Sequence, residues 1–378
     1  PSKLNLNAHL KGSGNKLENI DIAANAKLFD SNIFNVPIDS LAVDFNFIEG
    51  NYKINRFKLT NSLAELKAGG IGNIDAKNDI DFNFQIKDFS KLKTYVPIDN
   101  LSLNGELTGN ISGKIDSLNT KLNMDLDHIK YDEYLIGQFS SSTDILLKNK
   151  KIYGNVKSKI KNIDLGKIYI DSLGLNTKLA DKLISNKLVV NAQDSIAFLL
   201  DSELDLDQKI VVVPEIKFSS PIENWQSASD SLKIIFQNDE FAFQNFSLYS
   251  EEQKISLLGK INPKNYSDFE ATLQNIKLNK FASLAKTRLE GDLSLDLKFI
   301  GKLTDPVLDA EVKIDKGLFD KLNFQNLYFS GKYKNSLAKL NCDFSKTKED
   351  KISFDAEIPI IQKDNSYAID NEKDFSVN

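Results

Sequence analysis

Apolar residues recur at every second position along most of this chain. Leu41, Val43, Phe45 and Phe47 form one such strip, Ile80, Phe82, Phe84 and Ile86 another, and Leu293, Leu295, Leu297 and Phe299 a third. Successive side chains of a β-strand point to opposite faces, so this period predicts strands with one greasy and one wet face. Ile196, Phe198, Leu200, Leu204 and Leu206 keep the same parity, with Asp201, Glu203, Asp205 and Asp207 on the other side. Polar turn signals such as "AKND" at 76–79, "KNKK" at 148–151 and "NPKN" at 262–265 separate the strips. They return about every ten residues, which predicts a meander of antiparallel strands.

Helical periodicity is confined to "DFSKLKTY" at 88–95 and "NKFASLAKT" at 279–287, each two turns long, and each leading into a strand block. Larger units recur. "VPIDSLAVDFNF" at 36–47 returns as "VPIDNLSLNGEL" at 96–107, and "DSLAV" at 39 is echoed by "DNLSL" at 99, "DSLGL" at 171, "DSLKI" at 230 and "QNLYF" at 325. The uneven spacing describes loose sub-repeats over 36–95, 96–170, 171–229, 230–286 and 287–361. We read 1–378 as one continuous repetitive β segment with a polar tail at 362–378. The chain opens at Pro1 directly into alternating pattern, which we read as a piece of something longer.

Composition narrows the function. The 378 residues carry 53 acidic and 48 basic side chains, a net charge of −5, and only Arg56 and Arg288 are arginine. Such a surface sets up no field for a polyanion and lacks the planar forks that read phosphates and bases, so nucleic acid is not an expected partner. Cys342 stands alone, which excludes an internal disulfide and any thiolate cluster but leaves the redox compartment open. The longest apolar runs, such as Ile196–Leu200, fall far short of the roughly 18 residues a membrane-spanning helix needs.

Catalytic chemistry has little to work with. His9 and His128 are the only histidines and lack ligand spacing. "KGSGNK" at 11–16 reads as a polar turn, and "AGGIGNID" at 68–75 lacks the third glycine and following helix of a dinucleotide loop. The acidic row Asp201 to Asp207 is the best cation candidate, yet it has neither the loop glycine nor the twelfth-position glutamate of a calcium hand, and reads as a solvated outer face. The reading is therefore of a protein that is not an enzyme and has no cofactor.

The order of a short helix, "G-x-L" strands, the turn "GKLTDP" at 301–306 and another alternating strand is specific, as are the phrases "FQNFSLYS" at 243–250 and "ISLLGKI" at 255–261. This arrangement resembles the TamB branch of the AsmA-like proteins, over residues from about 15 to 360. The resemblance implies an all-β fold: a long curled antiparallel sheet, or β-taco, with an apolar lengthwise groove and a few short helices. It also implies an inner-membrane anchor outside this segment and a Gram-negative periplasmic location, with membranes at both ends of the full-length protein. Phospholipid or another acyl-chain lipid would be its cargo, and an Omp85-type outer-membrane barrel protein (TamA-like) its partner.

An apolar sheet face must be hidden by a second sheet, by helices or by closure. Two readings stay open on the residues alone: a β-sandwich adhesion or structural module with a closed core, and a sheet bent about its long axis around an open trough. In the second, Gly105, Gly109, Gly113, Gly291 and Gly301 sit where strands would bend or bulge. The candidate wall residues of that trough are Phe45, Phe47, Phe82, Phe84, Leu101, Leu103, Leu107, Leu293, Leu295, Leu297 and Phe299.

Overall fold

A computed structural model describes residues 3–378 apart from 17, 34–35, 88, 90–99, 115, 167, 229–231, 238, 282–286, 364–365 and 371. The chain divides into two compact units, residues 1–194 and 195–378.

The first unit is a meander of strands β1 (Leu6–Ser13), β2 (Asp21–Ile33), β3 (Val36–Ile48), β4 (Asn51–Thr60), β5 (Ala64–Asn73), β6 (Asn78–Ile86), β7 (Leu101–Lys114), β8 (Ser117–Tyr131), β9 (Tyr134–Lys148), β10 (Lys151–Asp164), β11 (Tyr169–Ala180) and β12 (Leu183–Ala192). Each pairs antiparallel with the next. Tight hairpins make this possible. Asn149 and Lys150, the two residues between β9 and β10, both have positive φ (51° and 64°), the mirror-image turn whose twist matches that of the flanking strands.

The second unit repeats the plan with β13 (Ile196–Asp205), β14 (Ile210–Ser219), β15 (Asn224–Ser227), β16 (Leu232–Gln237), β17 (Glu240–Ser250), β18 (Gln253–Ile261), β19 (Ser267–Lys277), β20 (Leu289–Lys302), β21 (Asp305–Phe319), β22 (Leu322–Lys334), β23 (Leu337–Ser345), β24 (Lys351–Lys363), β25 (Ser366–Ile369) and β26 (Ser376–Val377). One place departs from the simple meander: β14 pairs with β16 over Ile210–Val213 and with β15 over Lys217–Ser219. Pro214, which has no amide hydrogen, sits at that split. The expected polar tail folds back as β25 and β26, both paired with β24.

The helix expected at 279–287 is a 3-10 turn over Leu278–Phe281, and 282–286 lie outside the described residues. Most of the one expected at 88–95 lies outside them too. Trp225 stands in β15 opposite Phe218, half-buried.

Bulges bend the strands. His128 in β8, Asn245 in β17, Asn275 in β19 and Lys316 in β21 have φ between 51° and 56°, each where the ladder to a neighbour shifts register. An extra left-handed residue on one strand tilts it and adds twist. Opposite Lys316 sits Gly291, with φ 127°, and a β-carbon there would stand 3.1 Å from the carbonyl oxygen of Asp315. Gly109 has a different task from the expected bend: its φ is ordinary, and it provides room for a ring.

Within each unit the contacts between strands follow the ladders. A filled sandwich would fully bury most of the alternating apolar set. Instead the buried apolar residues among those described are few, including Leu28, Leu232, Ile276 and Leu318, while the strips at 41–47, 80–86 and 293–299 are half-buried and Ile196 and Leu206 are exposed. The all-β antiparallel architecture, with almost no helix among the described residues, is as expected for a β-taco.

Candidate functional site

Register turns the one-dimensional strips into rows that run from strand to strand. In the first unit Leu28, Leu41, Leu59, Leu66, Phe84, Leu107 and Met124 are successive ladder partners. Beside them run Ala24, Phe45, Ile54, Gly70, Ile80 and Ile111. A third row passes through Val43, Phe57, Ala68, Phe82, Gly109 and Leu122. Because antiparallel partners share a face, each row is a continuous apolar track across the ladder.

Further along, from β9 to β12, hydroxyls break the tracks. Ser141 and Ser158, next in line after Met124, share a hydrogen bond of 3.0 Å, and the Thr177 hydroxyl donates to Asn186 Oδ1 at 2.8 Å.

The second unit carries its own rows. Ile255, Leu273, Leu295, Val312, Phe329, Cys342 and Phe354 form one. Gly259, Phe269, Phe299, Leu308, Tyr333, Ala338 and Ile358 form another. Cys342 behaves here as a small hydrophobe, since burial first and Asp343 second push its thiol pKa up and keep it protonated.

All eleven candidate wall residues lie in strands and are half-buried. Phe84 and Leu107 are direct partners; Phe45 stacks on Tyr52 with ring centroids 6.5 Å apart. Phe47 pairs with Ile22 and Tyr52, and Phe82 with Ala68 and Gly109. Leu101 faces Tyr131, while Leu103 sits at the β7–β8 register shift. Leu293, Leu295, Leu297 and Phe299 occupy one strand of the other unit, flanked by Ile276, Leu273, Ala271 and Phe269 on one side and Ile314, Val312, Ala310 and Leu308 on the other. Those flanking residues belong to the same surface. Their own strips announce strands, but only the register shows which of them stand beside Leu293 to Phe299.

An open hollow of about 390 Å³ lies on this face of the second unit, lined by Phe299, Leu308, Phe329, Tyr333, Ile360 and Tyr367 among others. The opposite face is charged: Lys298 meets Glu270 at 2.5 Å, Lys339 meets Glu357 at 2.5 Å, and Lys277 meets Asp292 at 2.7 Å.

No group of three or more His, Cys, Asp or Glu among the described residues could hold a metal ion. The acidic row ends as a strand at Asp205, whose Oδ1 accepts from the amides of Asp207 and Gln208 to close a turn. No helix among the described residues is long and apolar enough to cross a membrane.

The fold and the rows together define a class: repetitive all-β proteins whose antiparallel sheet carries apolar rows on one face. The family model described as "TamB, N-terminal domain" matches residues 48–367, and the chain belongs to that family. No curated protein and no solved structure matches it. The TamB family is one of bridge-like, non-enzymatic proteins, with a general role in lipid transport and outer-membrane assembly.

Proposed function

We propose that this chain forms part of a non-enzymatic periplasmic bridge whose apolar face carries phospholipid acyl chains between the inner and outer membranes, assists outer-membrane protein assembly, or does both. The observation that supports this reading is the set of apolar rows that run from strand to strand over β2–β8 and over β18–β24. Each methylene taken from water contributes about 0.8 kcal/mol, so a chain of about sixteen carbons gains on the order of 10 kcal/mol on such a surface. That attraction is non-directional, so a row of similar Leu, Ile and Phe side chains holds an acyl chain without fixing it in one place. Headgroups stay at the wet margins.

The wall is assigned to Phe45, Phe47, Phe82, Phe84, Leu101, Leu103, Leu107, Leu293, Leu295, Leu297 and Phe299. An Omp85-type barrel protein is the partner expected at the outer membrane, and the full-length protein is anchored at the inner one. The purified chain is expected to carry co-extracted phospholipid, detectable by mass spectrometry. Leu103→Asp, Phe84→Asp and Leu295→Asp should each reduce it while leaving the β-sheet circular dichroism intact. A wild-type chain free of lipid, or variants that load as well as wild type, would end this reading.

A further inference from the structure

In the second unit Lys298 and Glu270, Lys332 and Asp309, and Lys339 and Glu357 are direct ladder partners, joined at 2.5, 3.2 and 2.5 Å. The first unit departs from that pattern over β9–β12. One row there runs through Ser142, Lys157, Asn176 and Lys187, the next through Ser140, Lys159, Gly174 and Val189, and a third through Gln138, Lys161, Ser172 and Asn191. None of the three contains a carboxylate. A fourth row, Asp144, Asn155, Lys178 and Ser185, adds one carboxylate and another lysine. Lys157, Lys159 and Lys161 alternate along β10, so they share one face at roughly 6.8 Å intervals and repel one another. All three are exposed, and none makes an ion pair among the described residues. The overall charge of −5 conceals this local excess, which appears only once register sets the strands side by side.

An open hollow of about 610 Å³ lies on the same face, lined by Lys157, Lys159, Ser140, Ser142, Ser172 and Asn176 among others, with Asp125 of β8 at its margin. Short side chains beside long ones shape it. Serines stand across the ladder from Lys157 and Lys159 on the β9 side, and Gly174 stands across from Lys159 on the β11 side. A β-carbon at Gly174 would meet no atom nearer than 4.0 Å beyond its chain neighbours. The lining groups both donate and accept: Asn191 Nδ2 donates to Ser172 Oγ at 3.1 Å, which leaves the Ser172 hydroxyl its own hydrogen to give.

We infer that this face binds an anionic glycan, a polysaccharide whose units carry carboxylate or phosphate groups. Lysines gathered without acids across from them cost the fold stability, and a polyanion laid along β10 offsets that cost. Ammonium groups on flexible stems meet anions spaced along a chain, while the serine and asparagine groups between them meet sugar hydroxyls. An anionic bilayer fits less well, because interfacial binding also needs apolar side chains to insert, and Val189 is the one large apolar side chain in the lining. Neither arginine of the chain lies here, which argues against nucleic acid. The site uses the face opposite the apolar rows, so it stands apart from the conduit reading.

Oligogalacturonate, with a carboxylate on each sugar, is the probe, neutral dextran is its control, and titration calorimetry at low salt is the readout. Oligogalacturonate should bind and dextran should not. Lys157→Gln, Lys159→Gln and Lys161→Gln together remove three exposed charges and should weaken binding roughly tenfold. Gly174→Tyr fills the hollow without touching a charge and should weaken binding by a similar factor, with Ser142→Tyr as a second filler should the first fail to fold. Lys332→Gln, on a lysine already paired with Asp309, should leave binding unchanged. Oligogalacturonate that does not bind, or that binds the triple variant as well as wild type, overturns the proposal. A loss in the triple variant with none in a folded filler, and polyglutamate bound as tightly as the glycan, would show a charged surface that does not recognise sugar. Phosphatidylglycerol vesicles bound in place of oligogalacturonate would assign the face to a membrane instead.

Discussion

The ring of Phe82 lies across Gly109 of the neighbouring strand, so close that a β-carbon added to the glycine would stand 2.4 Å from the ring's Cζ. Gly317 and Phe324, ladder partners in the second unit, repeat the arrangement at 2.0 Å. In both pairs the ring fills the place that a β-carbon on the glycine would take. Gly109→Ala should lift the Phe82 ring and cost about 1–3 kcal/mol, as overpacking does. Phe82→Leu in the same chain should recover most of that loss. A double-mutant cycle on urea midpoints checks the coupling, and independent, additive effects would contradict it.

On the opposite face, Lys58 and Lys67 are ladder partners, and like charges directly opposite repel. Glu65 holds them together, at 2.6 Å from Lys67 Nζ and 3.3 Å from Lys58 Nζ. The hydrogen bond from Lys67 and the charge of both lysines outweigh its partial burial and hold its pKa down to about 2, from 4.5. A depressed carboxylate stabilises the fold above its unfolded pKa and loses that contribution as pH falls from 4.5 through about 2. Glu65→Gln should lower the melting temperature at pH 7 and flatten its fall across that window. Equal acid slopes in the two proteins would count against the pairing.

Much of this was legible in the letters. Alternation from Leu41 to Phe47 and from Leu293 to Phe299 gives strands because period two survives any register. Family resemblance carried the choice of an open sheet over a sandwich, since Phe84 beside Leu107 would read identically in a filled core. What stayed hidden depends on which residue stands opposite which. Ala271, Val312 and Phe329 complete the surface around Leu293 to Phe299 only because bulges at Asn275 and Lys316 set the register; asparagine is common at a left-handed backbone but lysine is not, and neither letter says where in a strand the extra residue falls. Tyr367 was illegible for another reason: it sits in a polar stretch, and its partner Leu303 is 64 residues away in sequence.

Lys316 offers a direct test of those bulges. At φ 52° a side chain with a β-carbon is strained, by about 1–2 kcal/mol relative to a glycine. Lys316→Gly should therefore stabilise the second unit by up to about 1 kcal/mol, the loss of chain entropy offsetting part of the relief. Asn275→Gly should change less, because asparagine tolerates this region. Denaturant midpoints decide it, and a destabilised Lys316→Gly would mean that the lysine side chain holds the bulge.

A buried polar knot fastens the strand ends beside those bulges. Glu223, whose side chain is 10% exposed, accepts from the Ser250 hydroxyl and from Gln253 Nε2 at 2.8 Å, and faces Lys280 Nζ at 3.5 Å. Gln253 Oε1 in turn accepts from the Lys277 amide at 2.8 Å, and Lys280 donates to the Ile222 carbonyl at 2.6 Å. Burial raises the Glu223 pKa, but the bonds from Ser250 and Gln253 and the charge of Lys280 more than offset it, so the net shift is downward and the group is ionised at neutral pH. Gln253 is almost fully buried, so removing its acceptor leaves a donor with no water to turn to. Glu223→Leu should cost about 2 kcal/mol, and Glu223→Gln, which keeps an acceptor oxygen, should cost less. The readout is hydrogen exchange at Ser250–Gln253 and in the turn at 278–281: both should open together in Glu223→Leu, and protection unchanged in either segment would show that the carboxylate does not join them.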